Sequence, residues 1–374
     1  MTFQPAPGAP SGGGQASAPA SPDSDPRVTL LKGWLHTLAG RPALPRLLPE
    51  SLAPTSADAS FRRYFRVHAE GAGPASLIIM DAPPQHEDCR PFIKVAGLLE
   101  QAGVNAPRIL AQDLEQGFLL LSDLGGETFL SALRGQDPAV ANRLYTDAAA
   151  SLVKMQKIPS AGVLPAYDEA LLSREMQLFE DWYLARHLKT KLNDKQQQAL
   201  TKVKQALLAN NLAQPAVFVH RDYHSRNLML DGLLQDEDGD AQPGVLDFQD
   251  AVHGPITYDA VSLWRDAYIG WDEEQQIDWL IRYWSDAKRA GLPVDADFGA
   301  FYRDYEWMGL QRQLKVLGIF ARLAYRDGKT GYLDDISLVL TYARTAAARY
   351  QELAPLARIF DSLDAVPPPV GFSF

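Results

Sequence analysis

Two short apolar runs, each ending in a knot of polar side chains, constrain this chain more than any other feature. Val217-Phe218-Val219 leads into His220-Arg221-Asp222-Tyr223-His224-Ser225-Arg226-Asn227, and Leu228-Met229-Leu230 carries the chain away. Further on, Gly244-Val245-Leu246 delivers Asp247, followed by Phe248-Gln249-Asp250. Apolar runs of this length bounded by turn residues read as buried strands. The acidic, turn-rich connection Asp231 to Pro243 lies between them. The pattern predicts a strand–loop–strand hairpin, spanning 217–250, that brings Asp222, Asn227 and Asp247 to one edge.

Those three residue types are the parts that phosphoryl transfer needs. One carboxylate orients a hydroxyl nucleophile and accepts its proton, while an amide oxygen and a second carboxylate hold Mg²⁺ on nucleotide phosphates. Asp222 is the candidate base, and Asn227 and Asp247 are the candidate Mg²⁺ ligands. His220 reads as a hydrogen-bonding residue that holds the loop. Other chemistries lack their signatures. No Gly-x₄-Gly-Lys-Ser/Thr loop, His-Glu-x-x-His or Gly-x-Ser-x-Gly occurs. The run Asp236-Glu237-Asp238-Gly239-Asp240 has Ala241 where a Ca²⁺ loop needs glycine, and reads as a solvated hairpin tip.

The surroundings divide in two. Residues 27–39 have helical spacing, and a stretch holding Pro42, Pro45, Pro49 and Pro54 follows. Residues 55–121 then read strand, strand, helix, strand, strand, with Phe61–Val67 and Ser76–Met80 forming a hairpin. Ser122-Asp123-Leu124-Gly125-Gly126 reads as a hinge. Beyond it, helical periodicity dominates: 138–156, 168–189, 194–210, 257–269, 273–290, 297–325 and 333–352. The expected organisation is a flexible Ala/Pro/Gly/Ser tail at 1–26, an N-lobe at 27–121, a hinge at 122–126, a C-lobe at 127–366 and a tail at 367–374. Composition sets the outer bounds. The 374 residues, 46% hydrophobic and 10% aromatic, suit a folded globular enzyme. A formal charge of −10 disfavours a general nucleic-acid binder. The single Cys89 excludes an intramolecular disulfide and a cysteine-rich zinc module. No apolar run is long enough for a membrane span, and no secretory signal opens the chain, so a cytoplasmic protein is expected.

His220-x-Asp222-x₄-Asn227 with the later Asp247 resembles the catalytic loop and metal-binding Asp of the protein-kinase-like superfamily. The form His-x-Asp-x-His-x-x-Asn is similar to the aminoglycoside phosphotransferase and choline kinase group. More narrowly, Ser60-Phe61-Arg62-Arg63-Tyr64-Phe65-Arg66, Met80-Asp81-Ala82-Pro83-Pro84, Leu119-Leu120-Leu121-Ser122-Asp123-Leu124-Gly125, Asp247-Phe248-Gln249-Asp250-Ala251 and Gly309-Leu310-Gln311-Arg312 to Lys315-Val316-Leu317-Gly318 look like the bacterial N-acetylmuramate/N-acetylglucosamine anomeric kinases of cell-wall recycling. The resemblance implies an α+β, protein-kinase-like two-lobed fold with a small mixed N-lobe and a larger, mostly helical C-lobe. It implies ATP and Mg²⁺, adenine against Leu121, Asp123 and Leu124, and transfer to C1 of a small amino sugar.

One departure matters. The strand Leu77-Ile78-Ile79-Met80 offers Met80 where a protein kinase places its phosphate-binding Lys. Arg62 or Arg63 is the expected substitute, with Lys94 in reserve. For the sugar, Glu175 and His224 are candidate hydroxyl contacts. Arg312, then Arg265, are candidate partners for the lactyl carboxylate of N-acetylmuramate, because a guanidinium fork matches a carboxylate. Ion pairing or packing is the competing role for each. Two other functions share the pattern: a kinase of another small alcohol (an aminoglycoside, choline or homoserine), and a nucleotide-binding pseudokinase serving as an interaction module.

Overall fold

The computed structural model describes residues 25–41, 43–57, 61–71, 73–135, 137–230 and 242–364. The chain before Asp25, Ser60, the acidic turn at 236–240 and the C-terminal tail 367–374 lie outside them. Packing divides the chain into two units: the described parts of Met1–Glu87 with Leu110–Asp123, and of Asp88–Ile109 with Leu124–Phe374. The chain passes between them for the last time at Asp123–Leu124, inside the expected hinge.

The smaller unit is a helix on a sheet. Helix α1 (Pro26–Leu38) starts where the Asp25 carboxylate accepts from the Arg27 N–H at 2.9 Å and Pro26 occupies the first turn. Its buried stripe Val28, Leu31, Trp34, Leu35 and Leu38 shares a core with Leu47, Phe65, Val67, Leu77, Ile79, Phe118 and Leu120 of the sheet. Each fully buried side chain of this kind contributes about 1.5–3 kcal/mol. The strands are β1 (Arg46–Ala57), β2 (Arg63–Glu70), β3 (Ser76–Asp81), β4 (Ile109–Asp113) and β5 (Phe118–Ser122), in the order β1-β2-β3-β5-β4. The β2–β3 hairpin is the expected one, with Tyr64 opposite Met80. Strand β1 was not expected from its proline-rich sequence. It sits at the sheet edge with register breaks between Leu48 and Ala53 and between Pro54 and Ser56, which is where a sheet tolerates proline.

The larger unit is mostly helical. Helix α2 (Arg90–Gln101) belongs to it rather than to a contiguous 27–121 lobe, and the Phe92 ring packs 4.7 Å from that of Phe248. The remaining helices are α3 (Phe129–Leu133), α4 (Pro138–Gln156), α5 (Glu169–Leu178), α6 (Asp194–Ala213), α7 (Tyr258–Trp264), α8 (Glu273–Arg289), α9 (Phe298–Tyr325), α10 (Ile336–Arg349) and α11 (Ala354–Asp364). Phe179–His187 continues α5 as a π-helix. The final α11 was not expected. It buries Leu356, Ile359 and Phe360 in a core with Phe179, Leu310, Leu314, Leu317 and Val339. Helix α9 is buried along most of its length. It meets the end of α5 so closely that a β-carbon on Gly318 would run into the Leu178 backbone, so only glycine fits there. None of the described helices is long and apolar enough to cross a membrane.

Four short strands interrupt the helices: β6 (Ala216–Val219), β7 (Leu228–Met229), β8 (Gly244–Val245) and β9 (Val252–Pro255). Their pairing refines the expected hairpin. The leading strand β6 pairs with β9, and the hairpin itself is β7–β8, with Leu228 opposite Val245.

Candidate active site

The loop between β6 and β7 is held by carboxylates beneath its backbone. Arg221 adopts φ +80, a left-handed conformation unusual for a residue with a side chain. It is sustained because buried Asp259, in the first turn of α7, accepts from the N–H groups of both His220 (2.7 Å) and Arg221 (2.9 Å). Burial pushes the Asp259 carboxyl up to about 7, against the lowering pull of those two donors. Asp266, just beyond α7, accepts from the N–H groups of Ser225 (2.9 Å) and Tyr268 (3.0 Å). Tyr223 donates its hydroxyl to the Ala148 carbonyl of α4 at 2.8 Å. His220 is fully buried, and burial lowers its pKa to about 4. Its Nδ1 accepts from the Asp222 N–H at 3.2 Å, a loop-holding role for a neutral imidazole.

The three expected functional residues converge on this loop. Asn227 donates Nδ2 to the Asp222 carbonyl at 3.0 Å. The Leu246 N–H donates to the Asn227 carbonyl at 2.9 Å, which sets Asp247 beside Asn227 across the β7–β8 hairpin. Asp247 also takes a left-handed backbone, φ +62, and accepts from Gln249 Nε2 at 2.7 Å. No group of three His, Cys, Asp or Glu that could hold a metal occurs among the described residues. An amide oxygen and one carboxylate are instead a donor set suited to Mg²⁺, a hard ion that fills its remaining positions with phosphate oxygens and water. The residues present therefore fit that ion.

A buried ion cluster lies next to the base. The Glu175 carboxylate, only 5% exposed, accepts hydrogen bonds from three side chains and forms an ion pair with a fourth. Arg221 (2.7 Å) and Lys315 of α9 (3.1 Å) share its Oε1, and the Tyr167 hydroxyl and Gln311 Nε2 (3.5 Å) reach Oε2. Lys315 Nζ also donates to the Tyr258 hydroxyl at 2.9 Å. Desolvation raises the Asp222 pKa, but Lys315, His224, Arg312 and Arg221 together hold it below the usual carboxylate range. Asp222 is therefore ionised at neutral pH, as a group that is to accept a proton must be.

Several expected contacts have other employment. Arg63 is committed to two carboxylates: its Nε (3.0 Å) and its NH2 (2.6 Å) bind Asp81, and its NH1 pairs with Asp25. Asp81 is 1% exposed and also receives Arg27. Arg63 thus neutralises a buried charge at the end of β3. Lys94 donates to the Val163 carbonyl. The Asp123 carboxylate accepts from Arg66 Nε (2.6 Å) and NH2 (3.0 Å) and from the Ser76 hydroxyl (2.7 Å), so it braces its unit's sheet. Leu121 and Leu124 are buried, and Met80 is wholly enclosed. Glu175 is occupied by Arg221, Lys315, Tyr167 and Gln311. Arg265 is paired with Glu306 at 2.8 Å. His224 and Arg312 are both buried near Asp222. The sequence reading missed Arg221, Asp259 and Asp266 as functional groups and treated Lys315 only as a helix-face residue. Charged residues inside the otherwise apolar run Tyr258–Ala267 were the available signal.

The phosphotransferase enzyme family (APH) pattern matches residues 51–297. The chain belongs to this family. As a phosphotransferase it is similar to curated proteins named N-acetylmuramate/N-acetylglucosamine kinase. That of Pseudomonas aeruginosa is 50% identical, covering 91% of this chain and 97% of its own. That of Neisseria meningitidis is 46% identical, covering 88% and 94%. That of Caulobacter vibrioides is 31% identical, covering 81% and 89%. Among solved structures, Plasmodium vivax ethanolamine kinase aligns at TM-score 0.57 and 13% identity, covering 90% of this phosphotransferase and 89% of that chain. Choline kinase from Cryptosporidium parvum aligns at 0.54 and 11%, covering 88% and 98%. At those identities the likeness is one of fold, and it is the protein-kinase-like fold expected from the catalytic loop.

Proposed function

We propose that this phosphotransferase moves the γ-phosphoryl group of ATP to the anomeric hydroxyl of N-acetylmuramate and N-acetylglucosamine. The observation that supports the reading is that hydrogen bonds tie Asn227 to the Asp222 carbonyl and Leu246, the residue before Asp247, to the Asn227 carbonyl, on a loop held by Asp259 and Asp266. The names and full-length coverage of the relatives support the acceptor.

In this reading Asp222 accepts a hydrogen bond from the C1 hydroxyl and takes its proton as the new O–P bond forms and the bond to the ADP oxygen breaks. An anomeric hydroxyl is more acidic than an ordinary alcohol, which eases the task. Asn227 Oδ1 and the Asp247 carboxylate would hold Mg²⁺, which supplies charge neutralisation on the phosphates. The Glu175–Arg221 pair and the Asp259 cap keep Asp222 aligned, and alignment with charge neutralisation accounts for most of the rate. Arg62 serves the nucleotide phosphates, and the backbone of 121–124 meets the adenine.

The test is ATP consumption by the full chain with each amino sugar, followed by the phosphorus NMR of the product. Sugar 1-phosphate formation is expected with both. Turnover only with aminoglycosides, choline or homoserine, or nucleotide binding without turnover on any acceptor, would overturn the assignment.

A further inference from the structure

A buried charge without a counter-ion is costly, and native structures pair such groups or give them to a ligand. Arg312 is 4% exposed and forms no hydrogen bond or ion pair with any described residue, and its Nε is sealed from solvent without an acceptor. Arg265 differs, since Glu306 neutralises it. Arg312 is flanked on α9 by Gln311, whose Oε1 lacks a partner, and Gln313, whose Oε1 and Nε2 both lack one. Nearby His224 Nδ1 is likewise buried and unpartnered. Amide oxygens are acceptors, which suit sugar hydroxyl and acetamido N–H groups and repel phosphate oxygens.

Position narrows the choice of anion. Arg312 lies close enough to Asp222, His224 and Asp259 to act on the charge of each. An anion held by Arg312 therefore sits beside the base. In N-acetylmuramate the lactyl carboxylate hangs from C3, two ring atoms from C1, so a sugar presenting C1 to Asp222 brings its carboxylate into the same neighbourhood. N-acetylglucosamine has the same ring and no carboxylate.

We propose that Arg312 is the specificity-determining residue for the acidic sugar: its guanidinium receives the carboxylate, while the amide of Gln311 and the imidazole of His224 serve groups common to both sugars. This deepens the sugar-kinase reading above and rests on it. The two acceptors supply an internal control. Arg312→Met and Arg312→Lys are assayed at saturating ATP on both sugars, and their melting temperatures are measured without ligand. In Arg312→Met both sugars lose whatever rate Arg312 supplies through Asp222, and beyond that common loss the ratio of kcat/KM for N-acetylmuramate to that for N-acetylglucosamine should fall about 100-fold or more, as expected for loss of a charge-assisted bidentate contact. Arg312→Lys keeps the charge and should lose about tenfold on the acidic sugar alone. The ligand-free melting temperature of Arg312→Met should hold or rise, because an unpaired buried charge has been removed. Equal losses on both sugars, or a fall in melting temperature without a change in discrimination, would overturn the proposal. Wild-type protein active on neither sugar would instead bring down the reading beneath it.

Discussion

Replacing Glu175 by glutamine tests the ion cluster that supports the catalytic loop. The carboxylate is the shared counter-ion of Arg221 and Lys315 and also accepts from Tyr167 and Gln311. Glutamine keeps the shape but removes the charge, offers one acceptor oxygen, and turns two N–H groups toward existing donors. Breaking a buried pair from one side costs about 3–5 kcal/mol, because the surviving cations stay desolvated. A loss of ~3 kcal/mol in a chain of this size should lower the melting temperature by roughly 4 °C. The pH dependence has a definite sign. Burial raises the Glu175 pKa, but Lys315 and Arg221 more than reverse this, so its folded value lies below its unfolded one. Its contribution is then complete above the unfolded carboxyl value and is lost as pH falls through the folded value. Differential scanning calorimetry of wild type and Glu175→Gln should show the gap in full at pH 7 and a narrowing one on acidification below pH 4.5. The kcat should also drop, since Arg221 is adjacent to Asp222, while KM for ATP holds. Equal melting temperatures at pH 7 would refute the argument.

The other outcomes concern single roles. Asp222→Asn should fold and bind ATP but lose turnover by several orders of magnitude; near-normal turnover would remove the base assignment. Asp247→Ala should raise the Mg²⁺ concentration for half-maximal rate at least tenfold, read from a magnesium titration at fixed ATP; an unchanged titration would dismiss it as a ligand. Arg63→Ala should destabilise the protein, because Asp81 loses one of its two cations inside the sheet unit, with KM for ATP little altered; the opposite pattern in urea unfolding and kinetics would return Arg63 to the phosphates.

What could be read from the sequence was what one stretch of chain contains. The loop His220–Asn227 carries the candidate base, the candidate amide and the imidazole that holds its backbone within eight residues, so type and spacing were enough to single out the segment. The β2–β3 hairpin likewise alternates over a short span. What escaped depends on distant partners. Asp259 caps residues 38 and 39 positions earlier, and Asp266 caps one 41 positions earlier. Locally only their charge within an otherwise apolar run marks them, and that does not say which amides they meet. Arg63 looked like a phosphate contact until Asp81 and Asp25 were found to occupy it. Glu175 looked like a sugar contact because a lone carboxylate on a helix does not announce which cations will meet it. Strand β1 was hidden by prolines that only an edge position accommodates.

Because Asp259 and Asp266 grip the main-chain amides of His220, Arg221 and Ser225, that part of the loop's shape does not depend on which side chains stand there. Lys315 of α9 shares the Glu175 cluster with Arg221, whereas Arg312 on the same helix is the position we propose for the acceptor. Engineering of acceptor range should therefore begin at Arg312 and leave Lys315 and the two aspartates alone.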